Sequence, residues 1–243
     1  MKKVFAWTMA AAVLVSLAAL PGYGQTAQDI VKKMIDAQGG RKYLESIKDT
    51  TSTGTMELPS MGMTGSFTQY QKEPNKFRMD AEVMGTVVTQ AYDGQKAWST
   101  NFQTGQVEES PEPQAKEFAR EALGNAKLLA PEKFGITYTA KPKATLEGKE
   151  YLVLEQKTSD GHVTTIYIDP STYLPYKSEG TNLGPTGADV KAETYMTDFR
   201  KVGQAMVPHS VRTLMDGTEY IKVTITKIVF NTNVDDSLFA LGK

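Results

Sequence analysis

The residue types that most often carry catalysis are scarce in this chain and lie far apart. There is no cysteine, which excludes thiolate nucleophiles, disulfides, Cys-based zinc sites and iron–sulfur clusters. The two histidines, His162 and His209, are well separated, and His209 is interpreted as a structural residue of a strand. The acidic pairs at 108–109 and 235–236 are sequence neighbours whose side chains point apart, so we interpret them as solvated charge. With no Gly-rich phosphate loop or nucleophile elbow, the sequence predicts a protein that is not an enzyme and has no cofactor.

One cluster of soft metal ligands needs separate consideration. Met56, Met61 and Met63 lie close together, and thioethers in an exported protein can bind Cu(I). No histidine or cysteine joins them, so we favour an apolar hairpin tip that touches a membrane or a partner. No metal site is predicted.

Length and composition favour one globular domain. The chain has 243 residues, of which 40% are hydrophobic and 23% charged, enough to bury a core. Its formal net charge is −1, and it has none of the dense Lys/Arg surface that phosphate binding needs. Nucleic acid is therefore not an expected partner.

The N-terminus has the pattern of a secretory signal peptide. Lys2 and Lys3 precede an apolar run at residues 4–20, and Pro21 then breaks it. Gly22 and Gly24 are the small residues of a cleavage site. The alternative is an uncleaved membrane anchor. We expect residues 1–24 to be a cleaved signal peptide, residues 25–243 to be a single domain, and the mature protein to be periplasmic.

The next segment predicts two helices followed by strands. Thr26 and Asp29 have the spacing of a capping box, and apolar residues recur at helical spacing until Gly39. A second short helix follows, and after Lys48 the sequence alternates as half-buried strands do. In residues 77–83 the apolar side chains face one way and the charged ones the other, which indicates a sheet with one apolar face.

Three Asp-Gly pairs predict three tight hairpins. They lie at 93–94, 160–161 and 216–217, each between strand-like runs, and Asp-Gly adopts the positive φ angles that such turns need. With the remaining runs this gives about ten antiparallel strands, too many for a flat sheet, so we expect an unclosed β-barrel. The last strand and the strand near Ser52 are its expected open edges.

A central helical segment interrupts the strands. Prolines at 111 and 113 open it, Phe118 and Leu123 contribute to its apolar stripe, and Pro131 ends it. We expect this segment and the N-terminal helices to cover the concave face of the sheet. The predicted fold class is α+β, with a curved antiparallel sheet and helices on its concave face.

Several short motifs, taken in order, resemble one family. They are Ala-Gln-Gly-Gly at 37–40, Lys-Glu-Pro-Asn-Lys-Phe-Arg at 72–78, Tyr-Asp-Gly-Gln-Lys-Ala-Trp at 92–98, Tyr-Ile-Asp at 167–169 and the segment 231–239. Their order and spacing resemble those of bacterial outer-membrane lipoprotein-sorting proteins, which are relatives of the periplasmic lipoprotein carrier. The resemblance covers nearly all of the chain after the predicted signal peptide.

The resemblance implies an unclosed barrel whose helices cover an apolar cavity. It also implies a carrier that holds the acyl chains of a lipoprotein or lipid in the periplasm, with inner- and outer-membrane sorting proteins as partners. One position departs from the family: an arginine there precedes the Pro-Asn-x-Phe motif and fastens the lid, whereas this chain has Glu73. Glutamate cannot donate to lid carbonyls, so we do not carry that latch over. Arg78, after the motif, is expected on the opposite face from Phe77.

Residues of the strand at 77–83, the Asp-Gly turn and the central helix are the candidates for lining a hydrophobic site. The predicted ligand-binding residues are Phe77, Met79, Val83, Trp98, Phe118 and Leu123. The alternative function is an envelope interaction or sensor module with the same fold and a filled core. An apolar void beneath the Phe118 helix favours the carrier, and interdigitated side chains there favour the module.

Overall fold

The computed structural model describes residues 25–101 and 104–241, so the predicted signal peptide lies outside the described residues. The α-helices in this part of the chain are α1 (Ala27–Ala37), α2 (Arg41–Ser46), α3 (Glu112–Glu121) and α4 (Ala126–Leu129). Short 3-10 turns occur at Pro59–Met61, Pro131–Phe134 and Asp236–Phe239. None of the helices described is long and apolar enough to cross a membrane.

All the strands described belong to one antiparallel sheet of thirteen strands. The first half of the chain supplies β1 (Asp49–Leu58), β2 (Met63–Lys72), β3 (Lys76–Val83), β4 (Thr86–Tyr92), β5 (Ala97–Thr100) and β6 (Val107–Glu109). The second half supplies β7 (Thr137–Leu146), β8 (Lys149–Lys157), β9 (Val163–Ile168), β10 (Pro175–Leu183), β11 (Asp189–Val202), β12 (Ala205–Met215) and β13 (Thr218–Phe230).

The strand order places the first and last strands at the centre of the sheet. The order is β6-β5-β4-β3-β2-β1-β13-β12-β11-β10-β9-β8-β7, with β1 paired to β13 from Thr50↔Phe230 to Glu57↔Lys222. The expectation that these two strands form the open edges is therefore wrong, because they pair with each other. The edges are β6 and β7, which are consecutive in sequence. The segment that joins them, with α3 and α4, must run from one edge of the open sheet to the other.

The sheet has thirteen strands rather than about ten, and the additional strands are β6, β7 and β10. Strand β6 is only three residues long. Strand β7 is lysine-rich and contains Pro142, as edge strands often do, and β10 begins with Pro175 and contains Gly180. These sequences lack the apolar alternation that identifies a strand from its sequence. The α+β class and the unclosed antiparallel sheet are confirmed.

Local chemistry accounts for the predicted turns and caps. Thr26 accepts a hydrogen bond from the Asp29 backbone N–H at 3.1 Å, and the Asp29 carboxylate accepts one from the Thr26 backbone N–H at 3.3 Å, which completes the capping box. All three Asp-Gly pairs connect paired strands, β4 to β5, β8 to β9 and β12 to β13. Gly39 has φ +129°, and a Cβ there would lie 2.8 Å from the Gln204 carbonyl oxygen, so glycine lets the end of α1 contact the β11–β12 turn.

Side chains of paired strands alternate between two faces of the sheet. We call inner the face that carries Phe77, Met79, Ala81 and Val83, and outer the face that carries Arg78 and Asp80. At the centre of the inner face is an apolar patch, in which three side chains are buried and four are half-buried. The patch consists of Met56, Phe67, Ala81, Val83, Ile221, Val223 and Ile225. Helices α1, α2 and α4 cover the inner face near β8 and β9, where they enclose Leu154 and Ile168.

The C-terminal segment, residues 231–241, is fastened to the outer face. Asp49 is buried and accepts hydrogen bonds from the backbone N–H groups of Thr232 (2.6 Å) and Asn233 (3.1 Å). Further along, Arg78 donates to the Leu238 carbonyl at 2.9 Å. Phe239 is fully buried beneath this segment. The C-terminal segment therefore covers part of the outer face of β1 to β5.

We expect truncation of Phe239 to destabilise the fold strongly. Phe239→Ala removes a fully buried aromatic ring and should lower the free energy of unfolding by about 3–5 kcal/mol. Leu241→Ala, at a side chain that is 47% exposed in the same segment, should change it by less than about 1 kcal/mol. Urea unfolding followed by tryptophan fluorescence measures both, and equal small effects would show that the segment is not part of the cooperative unit.

Candidate functional site

A large cavity lies between the inner face of the sheet and the helices. Its volume is about 1790 Å³, whereas pockets for small molecules are typically about 300–1,000 Å³. Both halves of the sheet line it, for example through Val83 and Val211, and α3 and α4 line it through Phe118 and Leu128. The cavity is thus large enough for a long or branched ligand.

The lining changes character across the sheet. Around β1, β3 and β13 the inner face is the apolar patch. Around β10 and β11 the lining includes Ser178, Asn182 and Thr194, which are half-buried or exposed. A ligand with an apolar body and a polar portion would find surfaces for both.

Five of the six predicted site residues lie either in the segment from α3 to α4, which we call the lid, or on the inner face of β3. Phe77, Met79 and Val83 share the inner face of β3, and Phe118 packs against Phe77 with ring centroids 6.5 Å apart. Leu123 is buried in the link between α3 and α4. Val83 and Phe118 line the cavity itself, whereas Phe77 is 3% exposed and lies beneath the lid helix.

Trp98 lies on the other face of the sheet. It pairs with Ala91, which pairs with Arg78, so its ring points to the outer face. There it is buried, and its indole N–H donates to the Phe239 carbonyl at 2.8 Å. The sequence placed Trp98 directly after a turn but gave no register, and a shift of one residue moves a side chain to the opposite face. Trp98 holds the C-terminal segment and does not meet the other five residues.

Glu73 fastens the lid as a hydrogen-bond acceptor, whereas an arginine at this position would act as a donor. Its Oε1 accepts a hydrogen bond from the Asn125 backbone N–H at 2.7 Å, between α3 and α4. Gln71 donates to the Ala122 carbonyl beside it. Gly124 leaves room, since a Cβ there would lie 2.5 Å from Glu73 Oε1. The family's arginine contact is not carried over, as expected, because a carboxylate cannot bind lid carbonyls; here the Glu73 carboxylate binds a lid N–H instead.

The other side of α3 is tied to the second half of the sheet. Arg120 Nη1 lies 2.8 Å from Asp160 Oδ2 in the β8–β9 turn. Glu117 accepts a hydrogen bond from the Leu183 backbone N–H at the end of β10. Together with the Glu73 contact, these bonds hold α3 across the cavity. Sequence analysis missed them because they join residues distant along the chain.

Two motifs of the family resemblance meet in space. Phe77 pairs with Tyr92, and the Asn75 side chain donates to the Gly94 carbonyl at 3.4 Å. The Pro-Asn-x-Phe motif and the first Asp-Gly turn therefore form one corner of the sheet, next to the Glu73 latch. These contacts explain why the two motifs occur together in the sequence.

The described residues contain no cluster of three or more His, Asp or Glu side chains arranged to hold a metal ion. Met56 is buried in the apolar patch, whereas Met61 is 55% exposed at the tip of the β1–β2 turn, so the thioethers occupy different environments. His209 is buried, and its Nδ1 lies 3.0 Å from the Val207 carbonyl oxygen. Two carboxyls in or near the cavity, those of Glu73 and Glu121, have pKa values raised mainly by burial.

Removal of the Glu73 latch should loosen the lid without unfolding the sheet. Glu73→Ala leaves the Asn125 N–H without its acceptor, at a cost of about 1–3 kcal/mol. Hydrogen–deuterium exchange should then quicken in residues 122–130 and stay unchanged in β12 and β13. Glu73→Gln, which keeps an acceptor oxygen, is the matched control and should exchange like the wild type; equal acceleration in both variants would contradict the latch.

The stability difference between wild type and Glu73→Gln should depend on pH. Burial raises the pKa of Glu73 in the folded state above its value in the unfolded chain. Its contribution is therefore fully present below the unfolded-state pKa and is lost as pH rises through the folded-state pKa. Glutamine does not titrate, so urea unfolding should show the stability of Glu73→Gln rising relative to that of the wild type as the pH increases from the unfolded-state pKa of glutamate, about 4.3, through the folded-state pKa. A constant difference over this range would contradict the burial of the charge.

Comparison with known proteins supports the fold. No family model matches the chain, and no curated protein matches it in sequence. A LolA superfamily protein from Nitrosomonas europaea superposes with a TM-score of 0.62 at 13% identity, covering 89% of this chain and 98% of that one. An outer membrane lipoprotein-sorting protein domain from Vibrio parahaemolyticus gives 0.57 at 15% identity, covering 88% and 95%.

A third structure shares the same architecture. A DUF1329 family protein from Desulfovibrio piger superposes with a TM-score of 0.60 at 12% identity, covering 89% of this chain and 98% of that one. These matches extend over nearly the whole of the described chain, including both halves of the sheet. The resemblance noted in the sequence is confirmed at the level of structure: the chain has the fold of the LolA superfamily proteins.

Proposed function

We propose that this protein is a carrier or binding protein for lipoprotein acyl chains or another hydrophobic ligand, as a divergent member of the lipoprotein-sorting family. The observation that carries this proposal is the cavity beneath the Phe118 helix, which Val83 of the apolar patch lines. The similar fold of a protein named for lipoprotein sorting supports it. The role is non-catalytic, and its partners are an acylated lipoprotein or lipid together with inner- and outer-membrane sorting proteins.

The energetics of such a carrier depend on replacing the membrane. Each CH₂ group moved from water to an apolar surface contributes about 0.8 kcal/mol. Val83, Ile221, Val223 and Ile225 are half-buried in the structure and can lose their remaining exposure on contact with an acyl chain. Binding would therefore gain free energy from both the ligand and the patch.

The proposed binding residues are five of the six that the sequence predicts. Val83 and Phe118 contact the ligand, while Phe77, Met79 and Leu123 support the lid and the floor next to them. Trp98 is not included, because it lies on the outer face. Flexible methionine at the rim, such as Met63 in the cavity lining, suits cargo of irregular shape.

The proposal also covers export. Residues 1–24 act as a signal peptide and residues 25–243 form the mature domain in the periplasm. Gln25 supports this boundary: its side chain donates to the Tyr173 hydroxyl at 2.9 Å, and Thr26 then caps α1. The intact mass of protein recovered from a periplasmic fraction should correspond to a chain that begins at Gln25. A mass that includes residues 1–24 would favour the uncleaved anchor.

The alternative is an interaction module whose core is filled. That reading requires interdigitated side chains beneath the Phe118 helix, and the cavity there favours the carrier instead. Native mass spectrometry of protein purified from a periplasm without detergent separates the two functions. A bound acylated species in defined stoichiometry supports the carrier. Protein that is free of lipid and also ignores added lipids and lipopeptides would contradict it.

A matched pair of substitutions tests the binding surface. Val83→Asp places a charge in the apolar patch and should weaken binding of a fluorescent fatty-acyl probe at least about tenfold, because the carboxylate must be desolvated. Val87→Asp makes the same change on the same hairpin, but Val87 pairs with Glu82, so it lies on the outer face and is 54% exposed. It should bind like the wild type, and equal binding by both variants would place the site elsewhere.

A further inference from the structure

Helix α3 presents a polar stripe to the cavity. Gln114, Glu117 and Glu121 follow one another at spacings of three and four residues, which places them on one side of the helix, and all three line the cavity. Phe118 lies beside them and packs against Phe77. The roof of the cavity is therefore partly acidic, in contrast to the apolar patch on the inner face of the sheet.

Of the two carboxylates in this stripe, Glu121 is the one that has no partner among the described residues. Glu117 accepts a hydrogen bond from the Leu183 backbone N–H, and the neighbouring Arg120 is engaged by Asp160. Glu121 makes no hydrogen bond or ion pair with any residue that the structure describes. Its side chain is accessible from the cavity but enclosed by surrounding protein, and this enclosure raises its pKa. A carboxyl in this position has unused acceptor capacity directed at whatever occupies the cavity.

The other charges around the cavity leave an acidic surplus at this point. Lys127 of α4 attracts the carboxylates of both Glu121 and Glu73, while Glu117 repels that of Glu121. Farther along the lining, Glu109 is paired with Lys96 and Glu179 with Lys177. An anionic headgroup would thus meet net negative charge near Glu121, across a cavity where the dielectric is lower than in water.

We propose that Glu121 selects the polar end of the cargo: the cavity accepts amphiphiles that carry an ammonium or a neutral hydrogen-bond donor and disfavours those that carry a carboxylate or phosphate. A donor N–H or ammonium satisfies the orphan carboxylate, while a second anion is repelled by it. This inference rests on the proposed carrier function and adds a ligand class to it. An acylated amine or amide fits the site, and a free fatty acid does not.

Ligands with one alkyl chain and different headgroups test the selection. A neutral environment-sensitive dye, N-phenyl-1-naphthylamine, is bound to the mature protein at neutral pH and displaced by dodecylamine, dodecanol or dodecanoate, each kept below its solubility limit and any critical micelle concentration. The amine and the alcohol should displace the dye at concentrations about tenfold lower than the carboxylate. Glu121→Gln should reduce this ratio to about one, chiefly by improving binding of the carboxylate.

The control is Glu112→Gln on the same helix. Glu112 forms an ion pair with Lys116 at 2.8 Å, its side chain is 78% exposed and it does not line the cavity, so the same change of charge should leave the ratio unaltered. Dye binding with equal displacement by all three ligands, or an unaltered ratio in Glu121→Gln, would overturn the selection and leave the carrier in place. Failure of the wild type to bind the dye and every ligand would overturn the carrier function and the selection together. Circular dichroism of both variants confirms that they fold.

Discussion

The pairing of β1 with β13 is the constraint on which the rest of the architecture depends. Because the first and last strands meet at the centre, the two halves of the chain extend outward and end at β6 and β7. These edges are joined by consecutive sequence, so the connection must pass from one edge of the curved sheet to the other. It does so on the inner face as α3 and α4, and a covered cavity is the geometric result. The strand order thus requires a segment that crosses the cavity, and the side chains of that segment determine only how it is held there.

Because of this cavity, the centre of the inner face lacks the close side-chain packing from which a small domain normally gains stability. The chain gains it in two other places. Helices α1 and α2 complete a dense core over β8 and β9, around Leu154 and Ile168. On the outer face, Asp49, Arg78 and Trp98 bind the backbone of the C-terminal segment and enclose Phe239. With both regions secured, the centre of the inner face can remain open without loss of the fold.

Sequence reasoning succeeded where a feature is determined by neighbouring residues. The Thr26 cap, the Asp-Gly hairpins and the alternation in β3 are of this kind, and all are present in the structure. It failed where the answer depends on pairing over long distances. The central position of β1 and β13, the outer-face position of Trp98 and the contact of Glu73 with Asn125 each require a register or a crossing that local composition does not encode. The Gly124-Asn125 pair was a signal for that contact, since a small residue with a positive φ of 36° admits the carboxylate.

A carrier must bind its cargo firmly enough to shield it and weakly enough to release it. If the proposed carrier function is correct, the polar groups around the cavity would serve the second requirement, because part of the lining is hydroxyl and amide, including Ser178, Asn182 and Thr194, and gains little from contact with an acyl chain. The lid is held by a few hydrogen bonds and one ion pair, each of modest net strength, in addition to the contact between Phe77 and Phe118. These bonds attach α3 to both halves of the sheet, so a change in the spacing of the two halves acts on the lid directly.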